Sequence, residues 1–336
     1  MGLGQDKIKL VFIGTGNVAT QHMSALKRFN DVSISGAYDI AGKHSLAFKN
    51  GVFRTYFSSI SKMFKKVEPD AAFICLPPFA HGEAEEMCID ANIPFFVEKP
   101  VSNKIDTAKR VMKKVAKGKL VTSVGYMNRY RKGLQLAREI LNGNPPTLVK
   151  AWWEVGVPHN HSWLTQKSLS GGQILEQLTH MIDTIRYLCG DITSIYGYGA
   201  EGFVEKSDKY DIMDSVSLIL KVKNGAIASI AGSWAADISD EIGIDISGPK
   251  VSIKFRKWEH DAEIKSLDPV IRRKLPGEKN IFGIEDRTFL DVVVGKRTKS
   301  EILCDYSEGV RTLIVASKAN ESIMKHKEMK WAPLFS

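Results

Sequence analysis

The first third of the chain alternates short β-branched runs with helix-period segments, and no other feature restricts the fold as much. Residues 8–13, 32–38, 71–76, 94–97 and 120–124 read as buried strands, with helical patterns around 19–28, 60–66, 81–91 and 104–117 between them. Strands joined through helices pair in parallel, because a parallel partner is reached only by a crossover. Helices on both faces leave ligand sites at the carboxyl ends of the strands. The pattern changes near Tyr126. A helix over 133–141 runs into Asn142-Gly143-Asn144-Pro145-Pro146, a strong stop signal. A strand 147–155, a loop rich in His and Trp and a helix 171–188 follow. Consecutive strands then run from 192 to 265, with Asn224-Gly225 and Gly248-Pro249 as turns, before helices 285–294 and 306–326. The fold class is α/β: a doubly wound parallel sheet over 1–126, then an α+β domain over 127–336 with a large, mostly antiparallel open sheet. The closing helix 306–326 can pack back on the first domain.

Gly14-Thr15-Gly16-Asn17-Val18-Ala19 follows the first strand and opens a helix, which is G-x-G-x-x-A in the context that gives it meaning. Gly14 allows the tight turn, and Gly16 lets backbone approach a pyrophosphate. Asn17 and Val18 begin a helix whose N–H groups and dipole favour that anion. Asp39, at the end of the second strand, stands where a carboxylate meets a ribose diol. It accepts from a 2′-OH and repels a 2′-phosphate, which favours NAD over NADP. Lys43 could soften this preference by reaching a phosphate.

Further markers are Cys75-Leu76-Pro77-Pro78-Phe79-Ala80-His81 after strand 71–76, Glu98-Lys99-Pro100 after strand 94–97, Gly125-Tyr126, and Gly171-Gly172 leading to His180 and Asp183. With the glycine turn and the closing Asn320-Glu321-Ser322, the chain resembles the glucose–fructose oxidoreductase / inositol dehydrogenase / rhizopine-catabolism (Gfo/Idh/MocA) family almost end to end. The resemblance implies a Rossmann domain, a second domain whose open sheet is used in oligomerisation, and NAD(P)-linked oxidoreduction of sugars or cyclitols. It carries the catalytic lysine over to Lys99, the histidine to His180, and the preceding carboxylate to Glu176, where the family commonly has Asp. Leu76, Pro77, His81, Glu98 and Lys99 fall beside the cofactor, and Met127, Asn128 and Arg129 where the family places substrate contacts. Many members have a basic residue where Asn128 stands, and Gln173 replaces a third Gly.

The chemistry of the residues agrees with those roles. On one helix, Glu176 and His180 are i, i+4 and share a face. A hydride leaves an alcohol carbon as the hydroxyl proton is taken up, and His is suited to receive it near neutrality. Lys99 can hold developing alkoxide charge and disfavour protonation of that imidazole. Glu176 and Gln177 can bond substrate hydroxyls, and Trp163 can present an apolar plate to a sugar face. Alone, Lys99 reads as a turn lysine and His180 as a core histidine; the dinucleotide motif reverses both readings. His81 caps a helix start or lies along the cofactor, and Asp183 is structural. Trp152 and Trp153 point to opposite faces of their strand.

The net charge of +9, from 47 Lys+Arg against 38 Asp+Glu, is a solvated Lys-rich exterior rather than a nucleic-acid surface. The basic block from Lys104 to Lys119 alternates with Ile105, Ala108, Met112 and Val115 at helical spacing, without interleaved aromatics. No apolar stretch spans a membrane, and the start has no secretory pattern, which points to the cytoplasm. Cys75, Cys88, Cys189 and Cys304 form no CxxC pair and read as buried thiols in a reducing compartment. His159 and His161 lack supporting ligands, so no metal is expected. The partners expected are a carbohydrate-like small molecule and further copies of the chain, as a dimer or tetramer. Beside the dehydrogenase reading stand two others: a redox-neutral, NAD-dependent glycosidase and a non-catalytic NAD-binding regulator.

Overall fold

In the computed structural model, residues 7–42, 51, 53, 55–158, 163–205, 207 and 209–331 are described. The chain divides into two units, Met1–Met127 with Asn280–Val310, and Asn128–Lys279 with Arg311–Ser336.

The first unit contains β1 (Ile8–Ile13), α1 (Asn17–Leu26), β2 (Val32–Tyr38), α2 (Ile60–Val67), β3 (Ala71–Ile74), α3 (Glu83–Asp90), β4 (Phe95–Val97), α4 (Ile105–Gly118) and β5 (Thr122–Val124). The sheet order is β2-β1-β3-β4-β5 with every pair parallel. The central strands are apolar on both faces because helices cover both. Phe12 and Phe96 stack on Phe73 at 5.2 and 5.1 Å between ring centres. On α4, Ala108, Val111 and Val115 are buried and the basic residues occupy the other face.

Of the second unit, α5 (Lys132–Gly143), β6 (Leu148–Glu154), α6 (Lys167–Ser170), α7 (Gln173–Glu176), α8 (Thr179–Cys189), β7 (Ile192–Ala200), β8 (Ser215–Val222), β9 (Ile227–Ser233), β10 (Glu241–Gly248), β11 (Val251–Arg256), β12 (Asp261–Leu267), β13 (Val270–Leu275) and β14 (Met329–Lys330) are the elements. They build a nine-stranded sheet, β13-β12-β11-β10-β6-β9-β8-β7-β14, in which only β6 and β9 pair in parallel. The register puts Leu148, Trp152, Tyr196, Tyr198, Ile219 and Ile227 on one face, where Leu148, Tyr198, Ile219 and Ile227 are exposed. Val149, Leu218, Leu220 and Ile230 are buried on the other.

Three sequence expectations change. A single cut near 126 gives way to a return of 280–310 to the first unit. There α9 (Ile281–Val293) lies against α1 and adds Phe289 to the core, 5.9 Å from Phe73. Of the closing helix α10 (Tyr306–Lys325), only the start belongs to the first unit, with Tyr306 N donating to Thr122 Oγ1. Finally, the helix expected over 171–188 is two helices, α7 and α8.

Candidate active site

The glycine turn is dictated by space as well as by backbone angle. Gly14 has φ +88°, and a Cβ there would lie 2.3 Å from the carbonyl oxygen of Cys75. No side chain larger than hydrogen fits between β1 and β3 at this point. Gly16 differs: a Cβ on it would meet nothing within 4 Å, so open space adjoins the N-terminus of α1. That helix has no side-chain cap and no acidic residue in its first turn. An uncapped N-terminus beside open space suits an anionic group such as a diphosphate. Asp39 ties the turn to β2. Its Oδ2 accepts from the N–H (2.8 Å) and hydroxyl (2.7 Å) of Thr15, and its Oδ1 accepts from Ala41 N (2.8 Å). A carboxylate offers about four acceptor positions, so among the described residues one on Oδ1 remains for a ribose hydroxyl. Lys43 lies outside the described residues.

Leu76 and Pro77 line the carboxyl end of β3, half-buried. His81, expected at a helix start or along the cofactor, and Glu98, expected along the cofactor, both bond protein groups. The His81 ring bonds the Leu76 carbonyl (3.0 Å) through Nε2 and Glu85 (2.5 Å) through Nδ1, while Glu85 also accepts from Gly82 N (2.6 Å). One ring nitrogen thus bonds α3 and the other the chain leaving β3. Glu98 points inward: Oε1 bonds His22 Nε2 (2.9 Å), and Oε2 accepts from Lys99 N (3.1 Å). The other ring nitrogen of His22 meets Asp286 Oδ1 on α9 at 2.8 Å. Burial opposes charge on this fully enclosed imidazole, but Asp286 and then Glu98 outweigh it and raise its pKa to about 10. His22 is therefore an imidazolium donating to two carboxylates. Gly125 admits this arrangement, since a Cβ there would lie 2.5 Å from Glu98 Oε1. Lys99 stands half-buried at the carboxyl end of β4. Cys75 is no nucleophile: burial, then the charges of Glu98 and Asp286, push its thiol well up.

In the second unit, the junction between α7 and α8 is wound irregularly. Leu178 N reaches back five residues to Gln173 O (2.9 Å), and His180 N reaches back three to Gln177 O (3.2 Å). Glu176 and His180 consequently lie on two helices and do not share the regular i, i+4 spacing expected of one. Such single-turn irregularities recur at functional sites. Two buried amides fix it, Gln173 Nε2 donating to Met213 O (2.8 Å) and Gln177 Nε2 to Trp153 O (3.4 Å). His180, buried in the first turn of α8, packs beside two indoles, with Trp153 at 5.9 Å and Trp258 at 6.3 Å between ring centres. Glu176 is half-buried at the end of α7.

The expected substrate contacts at 128 and 129 are spent on structure. Arg129 forks onto Asp183 (Nε–Oδ2 2.9 Å, Nη2–Oδ1 2.8 Å), and Asp183 Oδ1 also accepts from Thr312 (2.9 Å). Asn128 Oδ1 accepts from Arg131 Nε at 2.8 Å. Met127 is buried in the first unit, and Trp163 is half-buried in a turn whose carbonyl accepts from Gln166 N. Sequence reasoning missed His22, Asp286, Arg131 and Trp258. A Trp in the polar run Lys257-Trp258-Glu259-His260 was the one available signal. His159 and His161 lie outside the described residues, among which no group of three or more His, Cys, Asp or Glu could hold a metal ion. No helix among them is long and apolar enough to cross a membrane.

Residues 8–126 match the model of an oxidoreductase family with an NAD-binding Rossmann fold, and residues 143–254 match the C-terminal domain of the same GFO/IDH/MocA family. The chain is 24% identical to the uncharacterised oxidoreductase YrbE of Bacillus subtilis over 93% of each chain. It is 23% identical to myo-inositol 2-dehydrogenase of Thermotoga maritima over 72% of this chain and 73% of that one. Levoglucosan dehydrogenase in complex with NADH has the same fold, with a TM-score of 0.85 at 17% identity over 98% of this chain and 100% of that one.

Proposed function

The chain belongs to the Gfo/Idh/MocA family of oxidoreductases, and from that premise we propose that it is an NAD-linked dehydrogenase acting on a secondary alcohol or ketone of a sugar, cyclitol or close derivative. The glycine turn carries the proposal: Gly14 pressed on Cys75, open space at Gly16, and Asp39 anchored beside them with an acceptor to spare. Gly16, Asn17 and Val18 would hold the diphosphate and Asp39 the adenosine ribose, with NAD preferred because that carboxylate repels a 2′-phosphate. The nicotinamide, when bound, supplies hydride chemistry. His180 takes up the hydroxyl proton of the substrate alcohol, and the Trp153 and Trp258 rings beside it limit water around the imidazole. Lys99 stabilises negative charge developing on the substrate oxygen, and Glu176 bonds a substrate hydroxyl. The four cysteines, all buried thiols, suit a cytoplasmic setting. The exposed Tyr198, Ile219 and Ile227 on the open sheet suit association between copies.

Nicotinamide absorbance followed over a panel of cyclitols, sugars and polyols tests this. Wild-type protein should reduce NAD with at least one ring polyol, and Lys99→Ala or His180→Ala should lower kcat by about 10²–10⁴-fold. No turnover on any member, or full turnover by Lys99→Ala, overturns the proposal.

A further inference from the structure

Residues 257–260 form a turn between β11 and β12 closed by His260 N donating to Lys257 O at 3.2 Å. Two of its non-glycine residues sit in the left-handed region, Lys257 at φ +63° and His260 at φ +59°. Backbone like this persists only where its surroundings over-determine it. Here they do so with a fully buried guanidinium. Arg131, 1% exposed, donates to the carbonyls of Trp258 (3.0 Å), Glu259 (2.7 Å) and Glu278 (3.1 Å), and is oriented by Asn128. The Trp258 carbonyl also accepts from Nδ1 of His260 at 3.1 Å. Burial, then the charge of Arg131, lowers the His260 pKa to about 4, so a neutral imidazole makes that bond.

This scaffolding displays one side chain. Trp258 is 39% exposed although its carbonyl is held by both Arg131 and His260. Its indole meets Trp153 edge-on, 5.7 Å between centres and 62° between planes, and approaches His180 at 6.3 Å and 80°. The two indoles make an angled apolar wall beside the imidazole. A core tryptophan would be covered, and a tryptophan serving only the surface would need no buried arginine beneath its turn.

We propose that Trp258, backed by Trp153, is a substrate-specificity residue whose exposed ring takes the C–H face of a pyranose or cyclitol ring beside His180, with Arg131 as the positioning residue that fixes it. The chemistry is selective for rings. An aromatic face is negative and apolar, so it favours a flat array of axial C–H groups with hydroxyls directed outward. A flexible open-chain polyol presents no such face and must lose rotamer freedom to imitate one. Trp258 thereby takes the part expected of Trp163. The inference rests on the reading of His180 as the proton acceptor, and the test separates the two.

Steady-state kinetics with NAD are measured for wild type, Trp258→Ala, Trp258→Phe and Arg131→Lys, using myo-inositol and D-glucose as ring substrates and sorbitol as the open-chain one. Trp258→Ala should raise KM for whichever ring substrate the wild type accepts by about tenfold, the equivalent of ~1.4 kcal/mol, and change KM for sorbitol less than about twofold. Trp258→Phe should recover most of the loss. Arg131→Lys should raise the same KM and weaken the circular-dichroism couplet of the Trp153–Trp258 pair, a signal that Trp258→Phe abolishes without loss of folding. If wild type turns over a ring substrate and Trp258→Ala leaves its KM unchanged, or raises KM for ring and open chain alike, the specificity role is refuted while the dehydrogenase reading stands. If wild type turns over none of the three and no other alcohol, the dehydrogenase reading falls, and this inference with it.

Discussion

Replacing His22 by Leu keeps the volume at the site similar and removes the cation that bonds both Glu98 and Asp286. The two carboxylates then remain in a pocket where His22 and Asp286 have no solvent exposure. Breaking a buried ion pair by deleting one partner costs about 3–5 kcal/mol. For a domain of this size each kcal/mol moves Tm by about 2–4 °C, so a loss of about 6–20 °C is expected. The pH dependence is more specific than the magnitude. The His22 pKa is about 10 in the folded chain against 6.5 for an ordinary histidine. A group raised on folding contributes its full stability below the unfolded value and loses it as pH climbs through the folded one. The gap corresponds to ~5 kcal/mol, present below pH 6.5 and shed progressively towards pH 10. Melting curves of wild type and His22→Leu at intervals across this window should therefore converge with rising pH. Burial raises the pKa of Asp286, so His22→Leu/Asp286→Leu, which removes that enclosed charge as well, should recover part of the loss. A Tm difference below about 2 °C at pH 6, or one that widens towards pH 10, would refute the assignment of a buried imidazolium.

Two further outcomes follow from the same contacts. Replacing Asp39 by Ser removes the charge that repels a 2′-phosphate, so affinities measured by titration should shift towards NADP by about tenfold or more relative to NAD; an unchanged ratio would place the adenosine ribose elsewhere. Asp183→Ala leaves the Arg129 guanidinium buried and strips an acceptor from Thr312, which should cost about 3–5 kcal/mol in denaturant unfolding; a cost under about 1 kcal/mol would mean that water or a neighbour replaces the carboxylate.

The parallel sheet was legible because its strands are buried on both faces and read as continuous apolar runs between helical periods. The antiparallel sheet was legible where one face is buried, as with Ile242, Ile244 and Ile246. β13 was not: Val270–Leu275 has no buried residue, and the basic Arg272, Arg273 and Lys274 suit an edge that discourages further pairing. The return of 281–293 to the first unit escaped notice because amphipathicity shows that a helix has an apolar face and not what covers it. The break between α7 and α8 has no Gly or Pro to announce it and is held by tertiary bonds from Gln173 and Gln177. Arg131 was equally silent. Between Tyr130 and Lys132 it reads as surface, since only the fold shows that three carbonyls converge on it.

The polar residues that stand out in the motifs divide into two physical kinds, and the division bears on the readings at 81, 98, 128 and 129. Side chains at strand ends and helix starts either face a ligand or satisfy the backbone and charges of the segment that does. His81, Glu98, Asn128 and Arg129 are of the second kind: each bonds a protein partner through its side chain. Glu98 adjoins Lys99 in sequence, and Asp183 lies at i+3 from His180, about one turn along α8. Each unit thus has a buried ion pair next to the segment that carries its proposed catalytic residue. Activity alone does not separate the kinds, because loosening a brace displaces the residue it holds and lowers turnover as deletion of that residue would. Stability does separate them. A buried carboxylate that loses its cation lowers Tm and kcat together. A lysine or indole facing the site changes kcat or KM and leaves Tm nearly untouched, because no buried partner is orphaned.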